Sequence, residues 1–451
     1  MVDQPAKIRE IAWSELFPWL ILVRAVRIAL MARVIFLGTL GLLATLIGWL
    51  LLAEIFSRSK DPVIQSWRDV SRFWVADDFW LDISSHSAPD VIYSATWYLL
   101  QAPIAIWQFI TRPFIELFDG DLTPMGFVFL LICCLWELLV LGLVGGAITR
   151  IAALMFTRDE APGFVAALKH AARKLPSYSL PPLIALLGAA VFGIQLVVVG
   201  AAMRLDFLAL VVAIFWPLVI LLGLLMAILL LGALVGWPLM WATVSVEGTD
   251  AFDALSRSFA YTYHRPFRLL WYVFLAALLA VISMFVVKLF AASAIALGDW
   301  SINWGLDNET MEKVVTPDVQ AELIATEAPP AAVVAPVAAP PAADDADDAA
   351  APLTDNPPPL NGTLTAARNT INFWKMIVAA LAAGYQAGFL WVAAVGVYLL
   401  MRRDIDGVQL NEVYVDPADE FGLPPLADEA TSGVPEVSPA LPATAGHTNA
   451  I

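Results

Sequence analysis

Glu137 interrupts the apolar run CCLWELLVLGLVGG, residues 133 to 146, and a lone carboxyl at that depth has two chemical uses. It can bind and release a proton or hold a cation, or it can stay protonated and share a hydrogen bond with another helix. Gln195 and Gln386 are the other deep polar side chains and the expected partners of such a bond. A second constellation lies in VEGTDAFDALSRSFAYTYHRPFRLLW, residues 246 to 271, where Glu247, Asp250, Asp253, Arg257 and His264 gather between two apolar runs. Clustered acids with a histidine at one membrane surface are what chemistry on a lipid would require.

The other reactive residue types are dispersed. Cys133 and Cys134 are the two cysteines, adjacent in an apolar run. They fit neither a disulfide framework nor metal-ligand spacing, and read as small buried side chains. His86, His170, His264 and His447 fall in separate segments. No zinc-protease helix motif, nucleophile elbow, phosphate-binding glycine loop or dinucleotide fingerprint occurs, so no catalytic residue, metal or cofactor is expected.

The elements that must position these residues follow from composition. With 60% hydrophobic and 15% charged residues and a mean hydropathy of +0.76, the chain has more apolar surface than a water-soluble globule can cover. An all-α fold is expected: a polytopic transmembrane helical bundle of about six spans, with amphipathic interfacial helices and a disordered acidic linker and tail. Taking roughly 20 apolar residues per crossing, the spans fall at 34–53, 125–147, 180–202, 207–240, 268–291 and 374–401. Residues 1–33 form a cytoplasmic or interfacial amphipathic segment. The segment 54–124 is an extracytoplasmic region with an interfacial helix over 91–110, whose Trp97, Gln101, Pro103, Trp107 and Gln108 suit the headgroup boundary. The run from Phe207 to Val244 is long for one crossing: either it tilts, bends near Pro217 and projects past the bilayer, or it turns back on itself near Gly223, and one long helix is preferred because the turn would put Arg402 and Arg403 outside.

Basic residues orient the bundle. Arg24, Arg27 and Arg33 precede the first span, Arg150 to Lys174 follow the second, Arg257, Arg265 and Arg268 follow the fourth, and Arg402 and Arg403 close the sixth. Six spans put all four groups on one face, so both termini are expected in the cytoplasm of a multi-pass protein of the cell (inner) membrane.

Two cytoplasmic elbows, 148–179 and 246–267, join descending to ascending spans. In the second, Gly248 ends a helix, Asp250 and Asp253 have cap spacing, and Phe252, Leu255, Phe259 and Tyr263 form an apolar stripe before Pro266. The first repeats the plan with Glu160, then Phe164, Leu168, Ala171 and Leu175, and Pro176, so an internal parallel repeat is plausible.

EGTDAFDALSRSF resembles a Glu-Gly, Ala, Ser pattern found after a long helix in families of uncharacterised bacterial polytopic membrane proteins, and in the membrane domain associated with glycerophosphoryl diester phosphodiesterases. RAVRIALMARV and YLLMRRDIDGVQLNEVY are similar to recurring elements of bacterial inner-membrane proteins. The resemblance implies a helical bundle with an amphipathic cytoplasmic elbow. The phosphodiesterase domain has no counterpart here, so that activity is not implied.

Acids concentrate off the membrane: residues 292 to 371 hold twelve with two bases, and residues 404 to 451 hold nine with none. The segment 292–373 reads as an extracytoplasmic Pro/Ala-rich linker and 402–451 as a disordered cytoplasmic tail. This balance gives no support to nucleic-acid binding, which needs clustered bases, and no nucleic-acid partner is expected. The expected partners are the lipid bilayer and membrane proteins that meet the elbows or tail. Three classes of function remain: a non-catalytic envelope or accessory protein, which the lack of a reactive constellation favours; a transporter or channel using the interior around Glu137; and a lipid-active membrane enzyme using the second elbow.

Overall fold

The computed structural model describes residues 17–59, 61–68, 103–119, 121–306, 314, 362–410 and 412–414. The linker over 328–360, most of the tail, residues 91–102, His86 and His447 lie outside them. The chain divides into two units, 1–413 and 414–451, and of the second only Tyr414 is described.

Among the described residues there are twelve α-helices and no strand. In chain order they are α1 (Ile21–Ala29), α2 (Ala32–Ile55), α3 (Pro62–Arg68), α4 (103–116), α5 (Pro124–Thr157), α6 (Phe164–Arg173), α7 (Leu175–Ala202), α8 (Asp206–Ile214), α9 (Trp216–Glu247), α10 (Ala251–His264), α11 (Pro266–Asn303) and α12 (Gly362–Asp406). Six of these, α2, α5, α7, α9, α11 and α12, are long and apolar enough to cross a membrane. The chain is an all-α bundle and a multi-pass membrane protein. Most of these helices outrun their apolar cores; α12, with 45 residues, extends about 68 Å against a hydrocarbon thickness of about 30 Å.

The packed core is built from α2, α5 and α12 with the C-terminal half of α9. Lipid tails are as apolar as leucine, so helices associate here through close contact rather than through the hydrophobic effect. Backbones touch where α2 crosses α12: a β-carbon on Gly38 would fall on the Gly384 carbonyl, and one on Gly384 would fall on Thr39. By contrast α7, α8, the first half of α9, and α11 leave most of their apolar surface uncovered by protein.

The long run from Phe207 to Val244 is interrupted. Helix α8 stops at Phe215 and α9 restarts with Pro217 in its first turn, where the missing N–H is harmless. Helix α7 instead begins at Leu175, before Pro181 and Pro182, and continues through them. Pro182 cannot donate to the Tyr178 carbonyl four residues back, and Trp241 Nε1 of α9 fills that place at 2.6 Å.

The amphipathic segments pack on protein as well as facing lipid. Helix α1 buries Leu22, Ala25, Ile28 and Ala29 against α12 and α11, and Arg24 donates to the Met155 and Phe156 carbonyls at 2.9 and 3.3 Å, closing the C-terminus of α5. In α4, Ile110 and Thr111 are buried, Phe109 lies 4.8 Å from Trp49, and Phe114 lies 5.3 Å from Trp237, so this helix is wedged between spans. In α10 the buried face is Ala254, Ser258, Tyr261 and Thr262, while Phe252 and Tyr263 of the expected apolar stripe are exposed. The small polar face meets a backbone, as Ser258 does by donating to the Gly236 carbonyl at 2.7 Å; of the bulky residues, Leu255 and Phe259 pack in part on the bundle and the Tyr263 hydroxyl donates to the Ile228 carbonyl, while Phe252 stays exposed.

Candidate functional site

Side chains that could do chemistry collect in three places, and the last turns of α9 serve two of them. Gly248 closes α9 in the left-handed conformation, φ 66°, with its N–H on the Val244 carbonyl at 2.9 Å. Asp250 then caps α10 by accepting from the Asp253 N–H at 3.0 Å. This use accounts for Asp250. Asp253 is exposed in the first turn, where a carboxylate suits the helix dipole, and His264 is exposed at the other end. The structure therefore brings only Glu247 and Arg257 of the expected elbow group together.

Glu247 is the hub of a network that spans three helices. Its carboxylate accepts from Arg257 Nη1 of α10 at 2.9 Å and from the Tyr398 hydroxyl of α12 at 2.6 Å, and lies 3.1 Å from Arg402 Nε. The last contact is ionic without hydrogen-bond alignment. Next to it, the Tyr261 hydroxyl donates to Asp406, and Arg268 and Tyr272 of α11 meet the Asp404 carboxylate at 2.7 and 2.8 Å. Burial, and then the Asp406 carboxylate beside it, push the Tyr261 phenol above its ordinary value. Burial alone would lower the Arg257 guanidinium, but Glu247 and the neighbouring tyrosines outweigh it and hold this cation above its usual value.

On the other side of the same α9 turns, Ser245 organises a second group. Its hydroxyl is 2.6 Å from Thr149 Oγ1 and 2.9 Å from the Tyr178 hydroxyl, and its carbonyl accepts from Arg150 Nη1 at 3.0 Å. Arg150 is buried, although its sequence position reads as an orienting surface charge. Lys174 adds a bond to the Gly248 carbonyl at 2.8 Å. Together these tie α5, α7 and α9. Sequence reasoning missed Arg150, Tyr178, Ser245, Tyr398, Arg402 and Asp404 as interior residues.

The third place is Glu137 on α5. It is fully buried, and neither carboxyl oxygen has a hydrogen-bond partner. The bond expected with Gln195 and Gln386 is not made. Gln195 is exposed on the outward face of α7, and Gln386 is buried on α12 with its own Nε2 unpartnered. Gly41 meets Val144 while Gly48 lies under the Trp136 indole, so α2 and α5 run antiparallel and Glu137 falls in the layer of Gly48. Trp136 Nε1 donates to the Ala44 carbonyl at 3.1 Å in that layer. Thr45 and Trp49 flank the same level of α2, are buried, and have no partner for Oγ1 and Nε1. Cys133 and Cys134 are buried on α5 a turn away. Glu116 of α4 accepts from Trp67 Nε1 at 2.6 Å and from Arg112 Nε at 2.7 Å.

Among the described residues, no three His, Cys, Asp or Glu side chains are grouped so as to hold a metal ion. No family model, curated protein or solved structure matches the chain.

Proposed function

We propose that this chain is a non-catalytic accessory protein of a cell (inner) membrane, both termini cytoplasmic, that works by holding its surfaces in place for lipid and membrane-protein partners. The observation that carries this reading is the use made of the elbow's polar groups. Asp250 is spent on a helix cap, and Glu247 is held by Arg257, Arg402 and Tyr398, so this cluster locks helices together rather than standing ready for a substrate. The orientation is supported by the gathering of Arg24, Arg33, Arg150, Lys174, Arg257 and Arg402 at the bundle end where α1 begins and α12 finishes.

The partner-facing part is the α7–α9 hairpin, which departs from the core with Val197, Phe207, Ile220 and Leu224 exposed. A photoreactive residue placed at Val197, Phe207 or Ile220 in native membranes is expected to give a discrete protein adduct, whereas Ile47 on α2 should give lipid adducts. Lipid adducts alone at every hairpin position would overturn the reading. A second reading, a transporter working through the bundle interior, is favoured by one observation, the unpartnered carboxyl of Glu137.

A further inference from the structure

Buried polar groups are almost always hydrogen-bonded, and each exception calls for a cause. In the layer shared by α2 and α5, four such atoms are unpartnered together: both oxygens of Glu137, Thr45 Oγ1 and Trp49 Nε1. Their chemistry is complementary. A carboxylate accepts only, an indole N–H donates only, and a hydroxyl can donate. An ionised Glu137 would therefore find donors in its own layer, while a protonated Glu137 can leave them unused. The arrangement is that of a site with two charge states.

We propose that Glu137 is a reversible proton-binding site, whose ionised form is held by hydrogen bonds from Thr45 and Trp49 and whose protonated form releases them. The inference stands apart from the accessory reading, since either an accessory protein or a carrier could use it. The surroundings define what else acts on the group. On its own helix the buried titratable residues are Cys133, Cys134 and, several turns away, Arg150. Helix α4 contributes Glu116, neutralised locally by Arg112. Of the other elements packed on α5, α2 buries no titratable side chain, α3 follows the buried Asp61, α6 contributes His170, α9 contributes Glu247 at its last turn, α7 contributes Tyr178, and α12 contributes Tyr385 and Tyr398. No cation in these sets is paired with Glu137, so the two donors are its means of holding a charge.

The test uses the full chain in lipid vesicles and an apolar carbodiimide, which enters bilayers and modifies a carboxyl only when it carries its proton. Modification of Glu137, read by peptide mass spectrometry over a scan from about pH 5 to about pH 10, is expected to be high at the acid end and to fall about tenfold per pH unit once the carboxyl loses its proton. Thr45→Val and Trp49→Phe should each raise the midpoint of that fall by about one unit, since each removes a donor to the ionised form. Glu137→Gln should abolish the adduct. Modification that stays constant over the whole range would overturn the proposal, and so would a midpoint that neither donor variant moves. Wild type alone decides the first outcome, so a variant that fails to insert does not leave the question open. Loss of hairpin cross-links would bear on the accessory reading and not on this one.

Discussion

Replacing Glu247 by glutamine tests whether the elbow network is a lock, and its parts predict unequal contributions. The carboxylate is 7% exposed and Arg402 is 13% exposed, so their contact belongs near the buried class, where removing one partner costs about 3–5 kcal/mol. Part of that cost is the charge left behind rather than the pair itself, and the geometry lacks hydrogen-bond alignment, so we expect a coupling below that range, about 2 kcal/mol. Arg257 sits closer, at 2.8 Å, but is 43% exposed; solvent screening brings its coupling to under about 1 kcal/mol. The Tyr398 bond is charge-assisted and survives in part, because the amide oxygen still accepts. Glu247→Gln alone should therefore destabilise by about 3 kcal/mol. Double-mutant cycles pairing it with Arg402→Met and with Arg257→Met, read by equilibrium unfolding of the full chain in mixed micelles, separate the two contacts. The reasoning fails if the shorter, more exposed Arg257 pair couples more strongly than the Arg402 pair.

Two further expectations follow from the same geometry. The Tyr261 phenol is held above its unfolded value of about 10, so its contribution to stability is complete below that pH and is lost as pH rises through the higher folded value; stability should fall above about pH 10, and less steeply in Tyr261→Phe, as followed by unfolding in detergent. Gly384→Ala places a β-carbon against Thr39 where the α2 and α12 backbones touch, and should destabilise by about 1–3 kcal/mol, whereas Gly223→Ala, where a β-carbon meets nothing, should be nearly silent in the same assay.

Spans and caps were legible because they depend on length and local chemistry. Apolar runs of the right length marked all six long helices, and Gly248 and Asp250 marked the end of α9 and the start of α10. Which face of a span turns inward was not legible. In water the buried face of a helix is the apolar one, but in a bilayer both faces are apolar, so periodicity carries no direction. Gln195 and Gln386 look alike in sequence, yet one faces out and the other in. In α10 the relation is reversed: the small polar face packs and the aromatic Phe252 is exposed. Arg150 misled for a related reason, since a base beyond an apolar run fits an orienting surface charge and a buried helix tie equally well.

A different pattern does carry the missing direction. Glycines four residues apart occur at Gly142 and Gly146, Gly232 and Gly236, and Gly384 and Gly388, and all six lie against another helix or elbow. Gly142 and Gly146 receive Ser179 and Tyr178 of α7; Gly232 and Gly236 receive Phe259, Tyr263 and Ser258 of α10; Gly384 and Gly388 receive Thr39 and Val34 of α2. Each pair makes a flat stripe on which a neighbouring backbone or ring can rest, which is how helices find one another where apolar burial gives no preference. The same stripes fix the polar groups. Gly146 admits the Tyr178 ring that reaches Ser245, and Gly236 admits Ser258, which seats α10 so that Arg257 faces Glu247. Reading small residues before polar ones would have placed Tyr178 and the elbow inside the bundle. Gly223 and Gly200, in the exposed part of the α7–α9 hairpin, meet nothing within this chain. The hairpin therefore departs from the core beyond the reach of its glycine contacts, which is where the accessory reading places the partner.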